Sequence, residues 1–87
     1  MEFTIYSKPD CSFCEQAKAL LKSKNIPFNE MIIDVGQVKD PAKTYTTTQS
    51  LLAILPSART IPQIFRGEEH IGGYAALKKL VESTSLI

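Results

Sequence analysis

The chain has 87 residues, 44% of them apolar and 22% charged, with a net charge of +1. That supports one modest core and a single domain over 1–87, leaves no room for a separate cofactor-binding domain, and excludes a broad basic face for nucleic acid. No apolar run is long enough to cross a bilayer, and the N-terminal stretch lacks the basic and apolar regions of a secretory leader, so the expectation is a soluble cytoplasmic protein.

Glu2-Phe3-Thr4-Ile5-Tyr6 alternates and is rich in β-formers, which predicts a strand. Ser7-Lys8-Pro9-Asp10 is a turn, with Pro9 excluding helix before it. From 11 to 24 the period is helical, with Cys14, Ala17, Leu20 and Leu21 on one face, and Asn25-Ile26-Pro27 ends the helix. The stretch 28–34, around Met31-Ile32-Ile33, predicts a buried strand parallel to the first in a βαβ unit. The stretch 36–48 is polar and carries no period, and 49–55 reads as a second helix stopped by Pro56. A strand over 61–65, a tight turn at Arg66-Gly67 and a partner strand over 68–71 make a hairpin. Beyond Gly72-Gly73, the stretch 74–82 is a last helix with Leu77, Leu80 and Val81 inward. The expected order is β-α-β-α-β-β-α, an α/β chain with neither repeat nor linker.

The only two cysteines, Cys11 and Cys14, stand three residues apart. A bridge between them closes almost no loop and staples almost nothing, so the pair suits chemistry better than stability. It lies past the carboxyl end of the first strand, where parallel sheets place their sites. Cys11 is expected to cap the first helix, its sulfur accepting from the amides of Phe13 and Cys14. A free thiol has a pKa of about 8.5. A helix dipole contributes roughly 0.3–1 kcal/mol, about 2 at best, against about 1.4 per pKa unit. The dipole alone therefore lowers the thiol by about one unit, and the amides and a nearby cation must supply the rest. Lys8 is that cation. Cys14, one turn further in, is the buried resolving thiol. Two blander readings stand beside this one. Half of a zinc site needs two further ligands, and His70 is the only histidine. Ordinary core packing suits Cys14 better than Cys11, which adjoins a turn.

Four elements in order, Lys8-Pro9-Asp10-Cys11-Ser12-Phe13-Cys14, Arg59-Thr60-Ile61-Pro62-Gln63-Ile64-Phe65, His70-Ile71-Gly72-Gly73 and a terminal helix, resemble the glutaredoxin family across nearly the whole chain. The resemblance implies a thioredoxin fold, with a four-stranded mixed sheet flanked by helices on both sides. It implies glutathione as reductant and a cis Ile61-Pro62 bond that exposes the Ile61 backbone to the cysteinyl part of glutathione. It assigns the glycyl carboxylate to Lys8, with Arg59 and Gln49 as weaker candidates, and the other carboxylate to the amides of Gly73 and Tyr74 opening the last helix. Thr60, Ile61 and Pro62 line the site, and Phe13 flanks the sulfur. Taken singly, Lys8 and Arg59 read as solvated surface, Pro62 as a strand start, Gly72-Gly73 as a turn, Phe13 as packing and His70 as surface. Two departures stand out. Ala75 occupies a position where relatives often carry an acidic or polar side chain, and the 36–48 stretch is longer than in compact members, shaping partner choice or serving as an idle insertion.

Three functions follow from the resemblance. The first is a monomeric glutathione-dependent oxidoreductase acting on disulfide-containing proteins, ribonucleotide reductase among them by analogy, with no resident cofactor. The second is a dimeric carrier of a 2Fe-2S cluster held by Cys11 and glutathione, since Ser12 replaces the proline of the commonest motif and relaxes the turn. The third is a thioredoxin reduced by a flavoprotein, against which the short chain, Ser12-Phe13, Thr60 and Gly72-Gly73 argue.

Overall fold

The computed structural model describes residues 2–84; the single-domain reading over 1–87 extends to positions 1 and 85–87, which lie outside them. The elements are β1 (Phe3–Ser7), α1 (Ser12–Ser23), β2 (Phe28–Ile33), β3 (Thr44–Thr46), α2 (Thr48–Ile54), β4 (Gln63–Arg66), β5 (Glu69–Gly72) and α3 (Tyr74–Thr84). The strands form one sheet in the order β3-β2-β1-β4-β5. β2 is parallel to β1, with Tyr6 opposite Met31, and β4 is antiparallel to it, with Ile5 opposite Ile64.

The sheet has five strands, not the expected four. The addition is β3, a three-residue edge strand parallel to β2 within the stretch that showed no period. Thr44-Tyr45-Thr46 has β propensity but no buried apolar residue, and a polar edge strand leaves no alternation to read. The hairpin also shifts. β4 starts at Gln63, because Pro62 has no N–H for the ladder and leaves the Ile61 backbone outside it.

Alternation in the central strands builds two cores, one on each face of the sheet. Phe3, Ile5 and Ile64 point to one face and pack with Ala17 and Leu21 of α1 and with Leu77 and Val81 of α3. Tyr6, Ile33 and Phe65 point to the other and pack on Leu51 of α2. Leu20 and Leu80, expected inward, are only partly buried. α1 ends as its sequence predicts. Asn25 takes a positive φ of 57°. Its amide bonds Lys22 O at 3.0 Å and that of Ile26 bonds Leu21 O at 2.9 Å, a Schellman closure of the free carbonyls.

Candidate functional site around Cys11

β1 delivers the chain to the site. Asp10 turns it with a φ of 56°, a conformation aspartate tolerates better than most residues. Cys11 is then the N-cap of α1, extended at φ −116°, and its sulfur accepts from the Cys14 amide at 3.2 Å. The expected Phe13 amide is not among the partners of the sulfur in the described structure, so one amide holds it where two were anticipated. Cys14, one turn in, is fully buried, and the two cysteines are joined as a disulfide with Cα atoms 5.2 Å apart. The Ile61–Pro62 bond is cis, and the Ile61 carbonyl oxygen lies 3.8 Å from Cys11 Sγ.

Two cavities meet at Thr60 and Ile61. One, about 400 Å³, has Lys8 and Arg59 on its rim and Ile33, Val35, Thr48, Leu51, Leu52 and Ala58 on its walls. The other, about 350 Å³, is bounded by Phe13, Pro62, Gly73, Tyr74 and Ala75. Every residue anticipated for glutathione therefore lies on one of the two, except Gln49. The stronger position on α2 is Thr48, one residue earlier, because the helix starts there and turns Gln49 off the groove. Ile33, Val35, Thr48, Leu51, Leu52 and Ala58 were missed; nothing in the sequence signals that α2 and the end of β2 line the groove.

The two ends of the groove differ in character. Arg59 is braced by its own loop, Nη1 donating to Ala58 O at 3.1 Å, so cationic groups sit at one end. At the other, Gly73 O accepts the first helical bond from Leu77 at 3.0 Å, which leaves the amides opening α3 free of helical partners. The Phe13 and Tyr74 rings stack across that end at 6.0 Å. Among the described residues no group of three or more His, Cys, Asp or Glu is arranged to hold a metal ion. With Cys11 and Cys14 its only cysteines, the chain could supply at most two thiolates to a cluster, and the rest would come from outside it.

Below the cysteine turn lies a charged brace. The buried Ser7 Oγ donates to Glu30 Oε2 at 2.7 Å, and Lys18 Nζ reaches the same oxygen at 2.9 Å and Glu15 at 2.9 Å. It ties β1, β2 and α1 together where the turn leaves the sheet. Residues of the 36–48 segment, Gln37, Val38, Asp40, Lys43 and Tyr45, line an open pocket of about 490 Å³ with it, which Ile61 does not line. Burial opposes the charge on Glu30, but Ser7 and Lys18 outweigh it and hold the carboxyl below its ordinary value. Burial likewise opposes the charge on Lys18, and Glu30 and Glu15 outweigh it and hold the ammonium above its own. A depressed carboxyl contributes stability that is complete above its unfolded pKa and is lost as pH falls through the folded one. Glu30→Gln is therefore expected to destabilise the fold by roughly 1 kcal/mol at neutral pH. The difference from wild type should shrink as pH drops below the ordinary value of 4.5, as urea unfolding at pH values near 7 and near 3 would show.

The glutaredoxin family model matches residues 3–71. Glutaredoxin 3 of Escherichia coli is 38% identical over 69 residues, 79% of this chain and 72% of that protein. The hybrid peroxiredoxin hyPrx5 of Haemophilus influenzae is 34% identical over 87% of this chain, which spans only 27% of that longer protein. Among solved structures, the buckwheat glutaredoxin–glutathione complex superposes with a TM-score of 0.68 at 25% identity, covering 97% of this chain and 71% of that one. With the thioredoxin-like architecture and a Cys-x-x-Cys pair at a helix start, these matches establish that the chain belongs to the glutaredoxin family, whose members are redox-active thiol–disulfide oxidoreductases.

Proposed function

We propose that this protein uses glutathione to reduce protein disulfides and glutathione mixed disulfides, with Cys11 as nucleophile and Cys14 as resolving thiol. The observation that carries the reading is the joint of the two cavities. It lies at Ile61, whose carbonyl is 3.8 Å from Cys11 Sγ, between cations at one end and the opening amides of α3 at the other. Glutathione is a peptide with a carboxylate at each end and a sulfur in the middle. The buckwheat relative was solved with that ligand, which supports the same choice here.

In the forward half-reaction the Cys11 thiolate attacks one sulfur of the substrate disulfide. The substrate S–S bond breaks, a mixed disulfide forms on Cys11, and the leaving thiolate takes a proton. Cys14 then gives up its proton and attacks Cys11 Sγ, releasing the second substrate thiol and closing the Cys11–Cys14 disulfide. Two glutathiones reopen it through a second mixed disulfide and leave as one glutathione disulfide. Lys8 and Arg59 hold the glycyl carboxylate. The amides of Gly73 and Tyr74 meet the γ-glutamyl carboxylate, a contact to which the Ala75 side chain adds nothing polar. Protein substrates, ribonucleotide reductase among them by family analogy, enter by the same groove. The chemistry suits the cytoplasm, where glutathione is kept reduced.

The test is one coupled assay with two reductants. Turnover of a glutathione mixed disulfide is expected with glutathione and glutathione reductase, and background rates with thioredoxin reductase. Turnover with the flavoprotein alone would overturn the proposal in favour of a thioredoxin.

A further inference from the structure

Gln63 is one of only two buried polar side chains among the described residues, 6% exposed in a strand whose other buried residues are Ile64 and Phe65. A buried amide is costly unless its donors and acceptor are paired. This one is paired in a directed way. Its Nε2 donates to Thr60 O at 2.9 Å and lies 3.4 Å from Thr60 Oγ1, and its Oε1 lies 2.7 Å from His70 Nε2. A carbonyl only accepts, so the Thr60 contact fixes which end of the amide faces the loop. The amide oxygen must then face His70, whose Nε2 carries the proton. The His70 ring is in turn seated against Phe65, with centroids 5.1 Å apart.

The destination of this chain of bonds is what gives it meaning. Thr60 lies outside the ladder, since β4 begins at Gln63. Thr60 and Ile61 form the wall common to both cavities, and Ile61 faces the reactive sulfur. We infer that Gln63 and His70 are positioning residues that set the Thr60–Ile61 backbone against which the disulfide substrate docks. His70, an exposed residue, thereby acts on the groove through Gln63 without touching it. The inference takes its substrate from the glutathione reading above.

The experiment uses the full chain with Gln63→Leu, which removes both bonds, and His70→Phe, which retains a ring against Phe65 but removes the donor. KM and kcat are measured with a glutathione mixed disulfide, and Cys11 ionisation by the pH dependence of its alkylation. Gln63→Leu, which loses the bonds to both Thr60 and His70, should raise KM about tenfold. It should leave kcat and the Cys11 titration in place, because the sulfur and its amide donor are untouched. His70→Phe should raise KM about threefold, since Gln63 keeps its bond to Thr60. Unchanged KM in both variants would overturn the inference, and if Gln63→Leu fails to fold, the surface change His70→Phe decides alone. Amide hydrogen exchange at Ile61 separates this inference from the reading it rests on. If wild type does not turn over glutathione substrates, faster exchange at Ile61 in the variants still supports the positioning role, and unchanged exchange overturns it.

Discussion

Replacing Cys11 by serine is expected to reduce disulfide exchange to the uncatalysed background, whereas replacing Cys14 by serine should leave reduction of glutathione mixed disulfides running. The asymmetry follows from where the two sulfurs sit. Cys11 is partly exposed, accepts the Cys14 amide at the start of α1 and has its sulfur 3.8 Å from the carbonyl of Ile61, the residue at the joint of the groove. Cys14 is fully buried, so an incoming disulfide cannot reach it. Only the thiolate is a competent nucleophile, and a serine hydroxyl at neutral pH offers no comparable anion. The loss for Cys11→Ser should be on the order of a thousandfold or more. In Cys14→Ser, a second glutathione resolves the mixed disulfide on Cys11, so those substrates still turn over. Protein disulfides that need the internal resolving step should slow sharply. Stopped assays with the two substrate classes separate these outcomes, and full activity in Cys11→Ser would remove the nucleophile assignment. Direct attack through Cys14 would appear as the reverse pattern.

Much of this was legible in the chain because the informative segments carry strong periods or rigid residues. β1 alternates, α1 switches to the helical period, and Asn25-Ile26-Pro27 stops it, so the βαβ unit and the place of Cys11 follow from pattern alone. The anticipated groove residues came from the matched motifs, and all but Gln49 line it. What stayed hidden depends on contacts across the chain. β3 is polar and three residues long, so only its pairing with β2 reveals it. Val35, Thr48, Leu51 and Leu52 line the groove because α2 packs over the sheet, which no local signal encodes. His70 is exposed, as its strand position suggests, yet its ring nitrogen bonds a buried amide seven residues away in sequence. Hydrogen-bond direction is a property of the folded arrangement, and residue type supplies only the inventory.

The paired glycines at the end of β5 provide the sharpest structural test, because equal sequence conceals unequal roles. Gly72 has a φ of 127°, a region that side chains rarely adopt, and a Cβ built there would lie 2.9 Å from Ala76 Cβ. Ala76 is fixed on the first turns of α3 and cannot swing aside, so the substitution must either strain β5 or push the helix outward. Backbone strain of this kind costs about 1–3 kcal/mol and overpacking a similar amount. Gly72→Ala is therefore expected to cost about 2–4 kcal/mol, a large share of the roughly 5–15 typical of a small domain. For a chain of this size that lowers the melting temperature by about 10–25 °C. Gly73 has no such constraint. A Cβ there meets only Pro62 O at 3.5 Å, an ordinary contact, so Gly73→Ala should melt close to wild type. The added methyl would instead stand on the wall of the groove, where Gly73 faces Pro62 and Tyr74. Thermal unfolding of the two variants side by side distinguishes the roles. Equal melting temperatures would mean that β5 can relax at Gly72, and that the glycine pair serves the groove alone.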